Sequence, residues 1–369
     1  MSIKGRKIEW WTPRLGNQEK KFINQVFKSH FPNEGQLTAS FEAKIAQLVG
    51  ARYAVAVTSG TSAIFLALKS LGIKSGDEVI IPDITFIATV NAVEMTGAKP
   101  ILVDIDPQTL NISTAEILKA LTPKTKAIVP VHVSGRAAAM EKILAIAKKR
   151  NIFVVEDAAE CLCSKYHGEY LGTWSDAGCF SFSPNKTITT GQGGMIVTDR
   201  KDIYQRLKEL KDQGRPFRGT GGDDMHPAIG YNFKFTDIQA AIGLGQLTYL
   251  QERLQRMVII HREYQRYLSG MEGLRLFPFD LSDGEIPQWT DVCLEKRDAL
   301  DSYLKKHEIY CRRYWFPIHT QAPYKMSDDR FPQSTSLSPQ ALWLPSAFTM
   351  TKKDVKVICD HIKNFFKKQ

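Results

Sequence analysis

A lysine and an aspartate are the two residues with the clearest capacity for chemistry. Lys186 lies in SFSPNKTITTGQGG, residues 181–194, among small and hydroxyl-bearing residues. A lysine in a site that disfavours its charge supplies a free amine for Schiff-base chemistry. Asp157 lies in VVEDAAE, residues 154–160, after an apolar run, where a carboxylate is costly without a cation or strong donor. It is a candidate metal ligand, ribose ligand or counter-ion of a protonated heterocycle. Taken alone, a lysine that simply faces solvent explains the first motif equally well, and an aspartate that caps the next helix is the commoner explanation of the second.

Two further segments offer binding rather than reaction. In TSGTS, residues 58–62, Gly60 permits close backbone approach, and Thr61 and Ser62 bring hydroxyl groups to the start of a predicted helix. A helix start of this kind binds anions such as a phosphate monoester, although an ordinary N-cap has the same sequence. Phe86 follows another predicted strand and can stack on a planar ring, with core packing as the alternative.

The combination of these four features is more specific than any one of them. An imine-forming lysine, a carboxylate for a ring nitrogen, a phosphate cradle and a stacking ring are together what pyridoxal 5′-phosphate requires. The glycines fit neither a P-loop nor the GxGxxG fingerprint of dinucleotide-binding folds. The sequence therefore predicts a pyridoxal-phosphate enzyme rather than a nicotinamide dehydrogenase.

The elements that must position these residues follow a repeating pattern. From residue 53 to residue 155, short apolar runs alternate with segments of helical periodicity, which predicts an α/β fold with a mostly parallel sheet covered on both faces. The reactive residues come just beyond the strands' carboxyl ends, where open α/β sheets bind ligands. The predicted strands are 53–57, 78–81, 100–103, 127–131 and 152–155, and the predicted helices are 19–27, 39–49, 62–71, 87–96, 113–120 and 140–150.

The pattern changes in the second half of the chain. Strands 178–182 and 194–198 are joined by a loop too short for a crossover helix, which predicts antiparallel pairing. A long helical stretch from 237 to about 260 leads into a segment of different composition. We expect a large cofactor-binding domain over residues 1–255 and a small C-terminal domain over 256–369. In the latter we predict helices 297–308 and 352–366 and a strand over 310–316.

Composition excludes several classes of protein. Among 369 residues, 49 Lys and Arg against 39 Asp and Glu give a net charge of +10, but the basic residues are spread out, so we expect no nucleic-acid partner. The six cysteines include no pair of CxxC motifs, which favours free thiols in a reducing compartment and no metal site. No signal peptide or stretch of about 18 apolar residues is present, so we expect a cytoplasmic protein without a membrane partner.

The chain resembles the DegT/DnrJ/StrS family of sugar aminotransferases, which belong to fold-type I of the pyridoxal-phosphate enzymes. The resemblance extends from Trp11 to the C-terminal helix and implies a three-layer α/β fold with a mostly parallel mixed sheet and a smaller α+β C-terminal domain. Its motifs are SGTSA (59–63), TFIATVNAV (85–93), PILVDIDPQTLNI (100–112), VVEDAAE (154–160), SFSPNKTITTGQGG (181–194) and GYNFKFTDIQAAIGLGQL (230–247).

The resemblance implies a role for each matching residue. Lys186 would hold the cofactor as a Schiff base and move the proton, Asp157 would pair with the ring nitrogen, and Phe86 would stack on the ring. Glu160 would lie near the ring hydroxyl, where many relatives carry glutamine. Asn232 would reach the phosphate across a homodimer interface, so that two copies share their active sites. The further phosphate-binding positions would be Gly60, Thr61, Ser62 and Ser181.

The implied reaction is transamination of a nucleotide-linked keto-sugar, with L-glutamate as amino donor, for the synthesis of a surface polysaccharide or related glycan. The motifs look most like relatives that aminate C4 of a 4-keto-6-deoxy sugar, such as perosamine synthases. Amination at C3, a sugar dehydratase and a non-catalytic cofactor-binding protein are the alternatives. Relatives that dehydrate sugars commonly carry histidine at this position, so the lysine at 186 argues against a dehydratase.

Substrate contacts are less well defined by the sequence. Arg215, Arg218 and Lys234 can meet the pyrophosphate of a sugar nucleotide, or they can simply be solvated, and His319 is a weaker candidate in the small domain. Several positions depart from the family pattern. Lys234 stands where arginine is common, Ser134 where an aromatic residue is frequent, and Arg136 where proline is usual. Residues 159–163 are bulkier than the small residues often found there.

Overall fold

The computed structural model describes residues 7–216 and 225–367. Its first part alternates strands and helices nearly as predicted, because each apolar run is short and is followed by a segment of helical periodicity. The helices of this part are α1 (Asn17–Ser29), α2 (Gln36–Val49), α3 (Gly60–Ser70), α4 (Ala88–Met95), α5 (Thr114–Ala120), α6 (Met140–Arg150) and α7 (Lys201–Lys211). The strands are β1 (Tyr53–Val57), β2 (Glu78–Pro82), β3 (Lys99–Val103), β4 (Thr125–Ile128), β5 (Phe153–Asp157), β6 (Lys165–Tyr166), β7 (Glu169–Tyr170), β8 (Ala177–Ser181) and β9 (Gly194–Thr198).

Within the described residues, seven of these strands form one large sheet in the order β1-β9-β8-β5-β4-β2-β3. The pairs from β3 to β8 are parallel, whereas β9 runs antiparallel to both β8 and β1. All five residues of β9 are buried, as expected for a strand covered by helices on both faces. The structure therefore confirms the mostly parallel mixed sheet, including the antiparallel pairing of β8 and β9.

The long helical stretch predicted from residue 237 is two helices, α8 (Asp237–Leu247) and α9 (Leu250–Leu268). Thr248 and Tyr249 separate them, because the Thr248 N–H bonds to the carbonyl of Gly245 and the Tyr249 backbone leaves the helical region. Residue 255 lies inside α9, so the expected domain boundary falls within a continuous helix. The division into domains 1–255 and 256–369 remains a prediction.

The C-terminal part forms a second, antiparallel sheet in the order β10-β11-β13-β12. The predicted strand over 310–316 is ordered as β-structure over only two residues, because β12 pairs with β13 at two positions alone. Helices α9 and α12 pack together beside this sheet. The bounds are β10 (Arg275–Leu276), β11 (Thr290–Cys293), α10 (Arg297–Lys306), β12 (Arg312–Arg313), α11 (Pro332–Leu337), β13 (Ala341–Leu344) and α12 (Lys352–Lys367).

The N-terminal segment joins the core of this second sheet. Ile8 forms a bridge with Ile309, and Trp11 is buried in the same cluster of apolar side chains. The ring of Trp10 lies 5.2 Å from the ring of Trp289, centroid to centroid. Residues 8–11 thus pack against the final third of the chain. In the described part of the chain, every helix is too short or too polar to cross a membrane.

Candidate active site

The residues predicted for catalysis meet at the carboxyl edge of the large sheet. A cavity of about 380 Å³ opens there, beyond the ends of β1, β5 and β8. The structure brings together residues from several distant segments of the sequence, which is the juxtaposition that the motifs led us to expect. The predicted residues that line this cavity are Gly60, Thr61, Phe86, Asp157, Glu160, Ser181 and Lys186.

The start of α3 forms one rim of the cavity. Ser59 caps the helix: its hydroxyl accepts a hydrogen bond from the N–H of Ser62 at 3.1 Å, and the Ser62 hydroxyl accepts one from the N–H of Ser59 at 3.0 Å. The first amides of a helix lack intrahelical acceptors and carry the positive end of its dipole, so this rim can hold an anion. Ser62 itself is buried in the cap and does not line the cavity, whereas Thr61 does.

Two glycines allow this rim to approach the sheet. A Cβ on Gly194 would lie 2.2 Å from the carbonyl oxygen of Ser59, and a Cβ on Gly60 would lie 3.0 Å from the Cβ of Ser181. Any side chain at Gly194 would therefore push the start of α3 away from β9. The close approach places Ser59, Gly60 and Ser181 on one surface of the cavity.

Asp157 is the last residue of β5 and its carboxylate is buried. One oxygen accepts a hydrogen bond of 2.7 Å from the Thr89 hydroxyl, and the other accepts one of 3.2 Å from the N–H of Ala159. Burial raises the pKa of Asp157, and the hydrogen bonds and the charge of Lys186 only partly oppose this. The two donors fix the orientation of a carboxylate that would be stabilised by a cation entering the cavity.

Lys186 lies in the loop between β8 and β9, with its Nζ 3.3 Å from Oε1 of Glu160 and 5.1 Å from the ring centre of Trp289. Glu160 is therefore the direct ionic partner of Lys186. The other oxygen of Glu160 accepts a hydrogen bond of 2.9 Å from the N–H of Ser134. Burial raises the pKa of Glu160, while the charge of Lys186 lowers it.

Phe86 supplies an apolar surface to the same cavity. Its side chain is 51% exposed, which is high for an aromatic residue in the middle of a folded chain. A ring that borders a cavity and is not covered by the protein can stack on a planar ligand. The exposure therefore favours ring stacking over the core-packing alternative.

The C-terminal part contributes residues that the sequence did not single out. Trp289, Arg312 and Trp315 also line the cavity. The aromatic and basic composition of residues 310–316 was a visible signal, but it predicted only a strand. Their place in the site depends on how the second sheet packs against the first, which no local pattern encodes.

Other predicted residues lie away from this cavity. His319 is fully buried, with Nδ1 2.6 Å from a carboxylate oxygen of Asp83 and its ring stacked on Phe331, so its polar atoms are used within the protein. Asn232 is exposed and outside the cavity lining of its own chain. Both placements leave the implied roles of these residues as predictions.

The basic residues predicted to meet a pyrophosphate are also outside the cavity lining. Arg215 and Lys234 both bind Asp212, at 3.1 Å and 2.5 Å. The two cations hold the pKa of Asp212 below its usual value despite its partial burial. Arg218 lies outside the described residues.

A buried charge network connects the second sheet to Glu160. Arg136 forms an ion pair with Asp291, and both side chains are almost completely buried. The hydroxyl of Ser134 donates to Asp291 at 2.9 Å and accepts a hydrogen bond of 2.9 Å from the indole N–H of Trp343. Because the backbone N–H of Ser134 binds Glu160, this network is connected to the direct partner of Lys186.

The residues present fit the cofactor that the sequence predicts. The cavity offers an amine, a buried carboxylate, an uncovered aromatic ring and a helix start that can bind an anion. In the described part of the chain, no group of three His, Cys, Asp or Glu side chains is placed to hold a metal ion. The arrangement matches amine and proton chemistry on a phosphorylated pyridine ring.

Comparison with known proteins gives a consistent result. The chain is 38% identical to GDP-perosamine synthase of Escherichia coli O157:H7 over 364 residues, 97% of this chain and 98% of that protein. It is 32% identical to GDP-perosamine synthase of Vibrio cholerae, with 97% and 99% covered. The crystal structure of the aminotransferase TlmJ from Streptoalloteichus hindustanus superposes with a TM-score of 0.92 at 29% identity, covering 98% of this chain and 99% of that one. The sequence model of the DegT/DnrJ/EryC1/StrS aminotransferase family matches residues 13–363, and the chain belongs to that family.

Proposed function

We propose that this protein transfers the amino group of L-glutamate to a nucleotide-linked keto-sugar, with a 4-keto-6-deoxy sugar as the substrate and an amino-sugar nucleotide as the product. The observation that carries the proposal is the single cavity shared by Lys186, Asp157 and the start of α3. The similarity to GDP-perosamine synthases over nearly the whole chain supports the choice of sugar. We expect the product to enter the synthesis of a surface polysaccharide or related glycan.

The cofactor is pyridoxal 5′-phosphate, which when bound supplies an electron-accepting ring that stabilises negative charge on the carbon being aminated or deaminated. We propose that Asp157 holds this ring through its nitrogen, keeping the nitrogen protonated, and that Phe86 stacks on the ring face. The raised pKa of the buried Asp157 carboxyl supports this role, because a positively charged partner relieves the cost of its burial.

The phosphate is expected to bind at the start of α3. Gly60, Thr61 and Ser181 line that end of the cavity, and the helix dipole favours the negative charge. Ser62 would act indirectly, because its hydroxyl closes the helix cap rather than facing the cavity. Its effect would be to orient the first-turn amides toward the phosphate.

Lys186 would carry out the proton transfer. Its Nζ would take the proton from the α-carbon of the amino donor and pass it to the cofactor in the first half-reaction. In the second half-reaction it would take a proton from the cofactor and deliver it to the sugar carbon that receives the amino group. Glu160, 3.3 Å from Nζ, would hold the amine at the cavity wall. The indole of Trp289, also close to Nζ, would exclude water from this point.

We propose that the active enzyme is a homodimer in which Asn232 reaches the phosphate site of the second copy. The exposure of Asn232 supports this, as does the exposure of the apolar side chains that flank it: Ile229 is 85% and Ile238 is 44% exposed. Apolar groups this exposed on either side of one segment favour contact with another protein surface.

The test is to incubate the purified enzyme with L-glutamate and a panel of keto-sugar nucleotides, and to identify the products by mass spectrometry and NMR. We expect amination at C4 of a 4-keto-6-deoxy sugar. Amination at C3 would support the alternative of a 3-keto-sugar aminotransferase, and loss of a hydroxyl would identify a dehydratase. A yellow, folded protein that aminates no sugar would contradict the transaminase proposal and favour a non-catalytic cofactor-binding protein.

Substitution of Asp157 by asparagine is expected to slow the glutamate half-reaction by roughly 10²- to 10⁴-fold, because the ring nitrogen loses a buried ionic partner worth about 3–5 kcal/mol. The rate is measured from the change in cofactor absorbance after adding L-glutamate. The matched control is Asp176→Asn, since Asp176 binds Arg200 outside the cavity lining. An equal loss of rate in both variants would contradict the role of Asp157.

A further inference from the structure

Arg312 is a cation in the wall of the catalytic cavity whose purpose the proposed roles do not explain. It lies on β12 and lines the same cavity as Lys186 and Asp157. Among the described residues that line this cavity, Lys186 and Arg312 are the basic ones. Because the Lys186 amine is committed to the cofactor and to proton transfer, Arg312 supplies the remaining positive charge for a substrate.

Two tryptophan rings hold the guanidinium in place. Its central carbon lies 4.6 Å from the ring centre of Trp10 and 5.5 Å from that of Trp343. Stacking of this kind fixes the plane of an arginine side chain without using its N–H donors. The side chain is half-buried, and burial lowers the pKa of Arg312 while the charge of Glu160 opposes the shift.

The guanidinium has no acceptor from the protein. In the described part of the chain, the Arg312 side chain makes no hydrogen bond and no ion pair, although its backbone pairs with Trp343 of β13. The adjacent Arg313 shows the contrast, since its Nε lies 2.9 Å from a carboxylate oxygen of Asp301. A half-buried planar fork of five donors that lacks a protein acceptor and lines a cavity is suited to an anionic ligand with two coplanar oxygens.

We infer that Arg312 binds a carboxylate of the amino donor. This inference rests on the proposed function, in which the donor is L-glutamate, and every α-amino acid donor brings a carboxylate next to the amine that reacts. The neighbouring Trp289 and Trp315 also line the cavity and lower its polarity, which strengthens the attraction between the guanidinium and a carboxylate. Arg215 and Lys234 are engaged with Asp212 outside the cavity lining.

The first test titrates L-glutamate against the cofactor-loaded enzyme and follows the cofactor absorbance. We expect Arg312→Gln to raise the half-saturating glutamate concentration by roughly 10- to 100-fold, as expected for loss of charge-assisted hydrogen bonds. The KM for the keto-sugar should change by less than about threefold, because a sugar brings no carboxylate. Arg313→Gln is the matched control and should leave both values unchanged, since Arg313 faces Asp301.

The second test measures binding without reaction. Glutarate carries both carboxylates of glutamate but no amine, and we expect calorimetry to show weaker glutarate binding to Arg312→Gln than to Arg313→Gln. A parallel titration with L-alanine as donor separates the two carboxylates. An equal rise in the half-saturating concentration of both amino acids assigns Arg312 to the α-carboxylate. A rise confined to glutamate assigns it to the side-chain carboxylate.

Two results would overturn the inference. One is unchanged glutamate saturation and glutarate binding in Arg312→Gln with a raised KM for the sugar nucleotide, which would assign the guanidinium to the pyrophosphate. The other is an equal change of glutamate saturation and glutarate binding in Arg312→Gln and Arg313→Gln. Failure of the wild-type enzyme to react with glutamate would instead contradict the proposed function, so the two ideas fail separately.

Discussion

Replacement of Lys186 by arginine is expected to lower the overall transamination rate by at least about 10³-fold, because one change removes both the covalent anchor and the proton-transfer group. Arginine keeps the positive charge beside Glu160, but its guanidinium stays protonated and forms no stable imine. The rate is measured as amino-sugar nucleotide formed with glutamate in excess.

Borohydride reduction of the cofactor-loaded enzyme gives a readout that does not depend on turnover. The wild-type protein should gain a reduced pyridoxyl group on the peptide that contains Lys186, and Lys186→Arg should gain none there. The control is Lys165→Ala, because the Lys165 amine stacks on Tyr170 outside the catalytic cavity. Labelling of another lysine in the wild-type protein would contradict the assignment.

The second large effect is expected on stability. Arg136 and Asp291 form an ion pair in which both side chains are almost completely buried, and Asp291 also accepts a hydrogen bond from Ser134. Asp291→Ala should lower the free energy of unfolding by about 3–5 kcal/mol, because it leaves the guanidinium charged and buried without its partner. Chemical unfolding followed by circular dichroism measures this loss.

The double variant Arg136→Met with Asp291→Leu tests the cause of that loss. Removing both charges leaves no uncompensated ion, so we expect the double variant to be more stable than Asp291→Ala alone. The loss of unfolding free energy in the double variant is compared with the losses in Arg136→Met and Asp291→Leu alone. A double variant that loses as much as the two single variants together would show that packing, rather than charge, accounts for the effect.

Much of the large sheet could be predicted because its signals are local. β1 and β9 have the predicted bounds, since each is a short apolar run bordered by residues that end a strand. The break between α8 and α9 was not predicted, because Thr248 and Tyr249 carry no strong helix-breaking signal. Propensity alone does not place a turn that tertiary contacts impose.

The site residues could be predicted where short sequence motifs contain them. Asp157 and Glu160 come from one segment, and Lys186 from another with unusual composition, so their chemistry was visible in the sequence. Trp289 and Arg312 were not identified, because they lie more than 100 residues further along and belong to segments too short to show a periodic pattern. Arg312 is in the two-residue strand β12, and Trp289 directly precedes the four-residue strand β11. The buried pairing of Arg136 with Asp291 was invisible for the same reason.

The packing of Trp10 against Arg312 has a practical consequence for handling this protein. The N–H of Ser346 bonds to the carbonyl of Trp10, and the indole N–H of Trp11 bonds to the carbonyl of Pro184, so the leading residues are tied to both halves of the catalytic cleft. An affinity tag or a truncation that displaces these tryptophans would disturb Arg312 in the cavity wall, although Trp10 and Arg312 are some 300 positions apart in the chain. Purification handles belong at the opposite terminus.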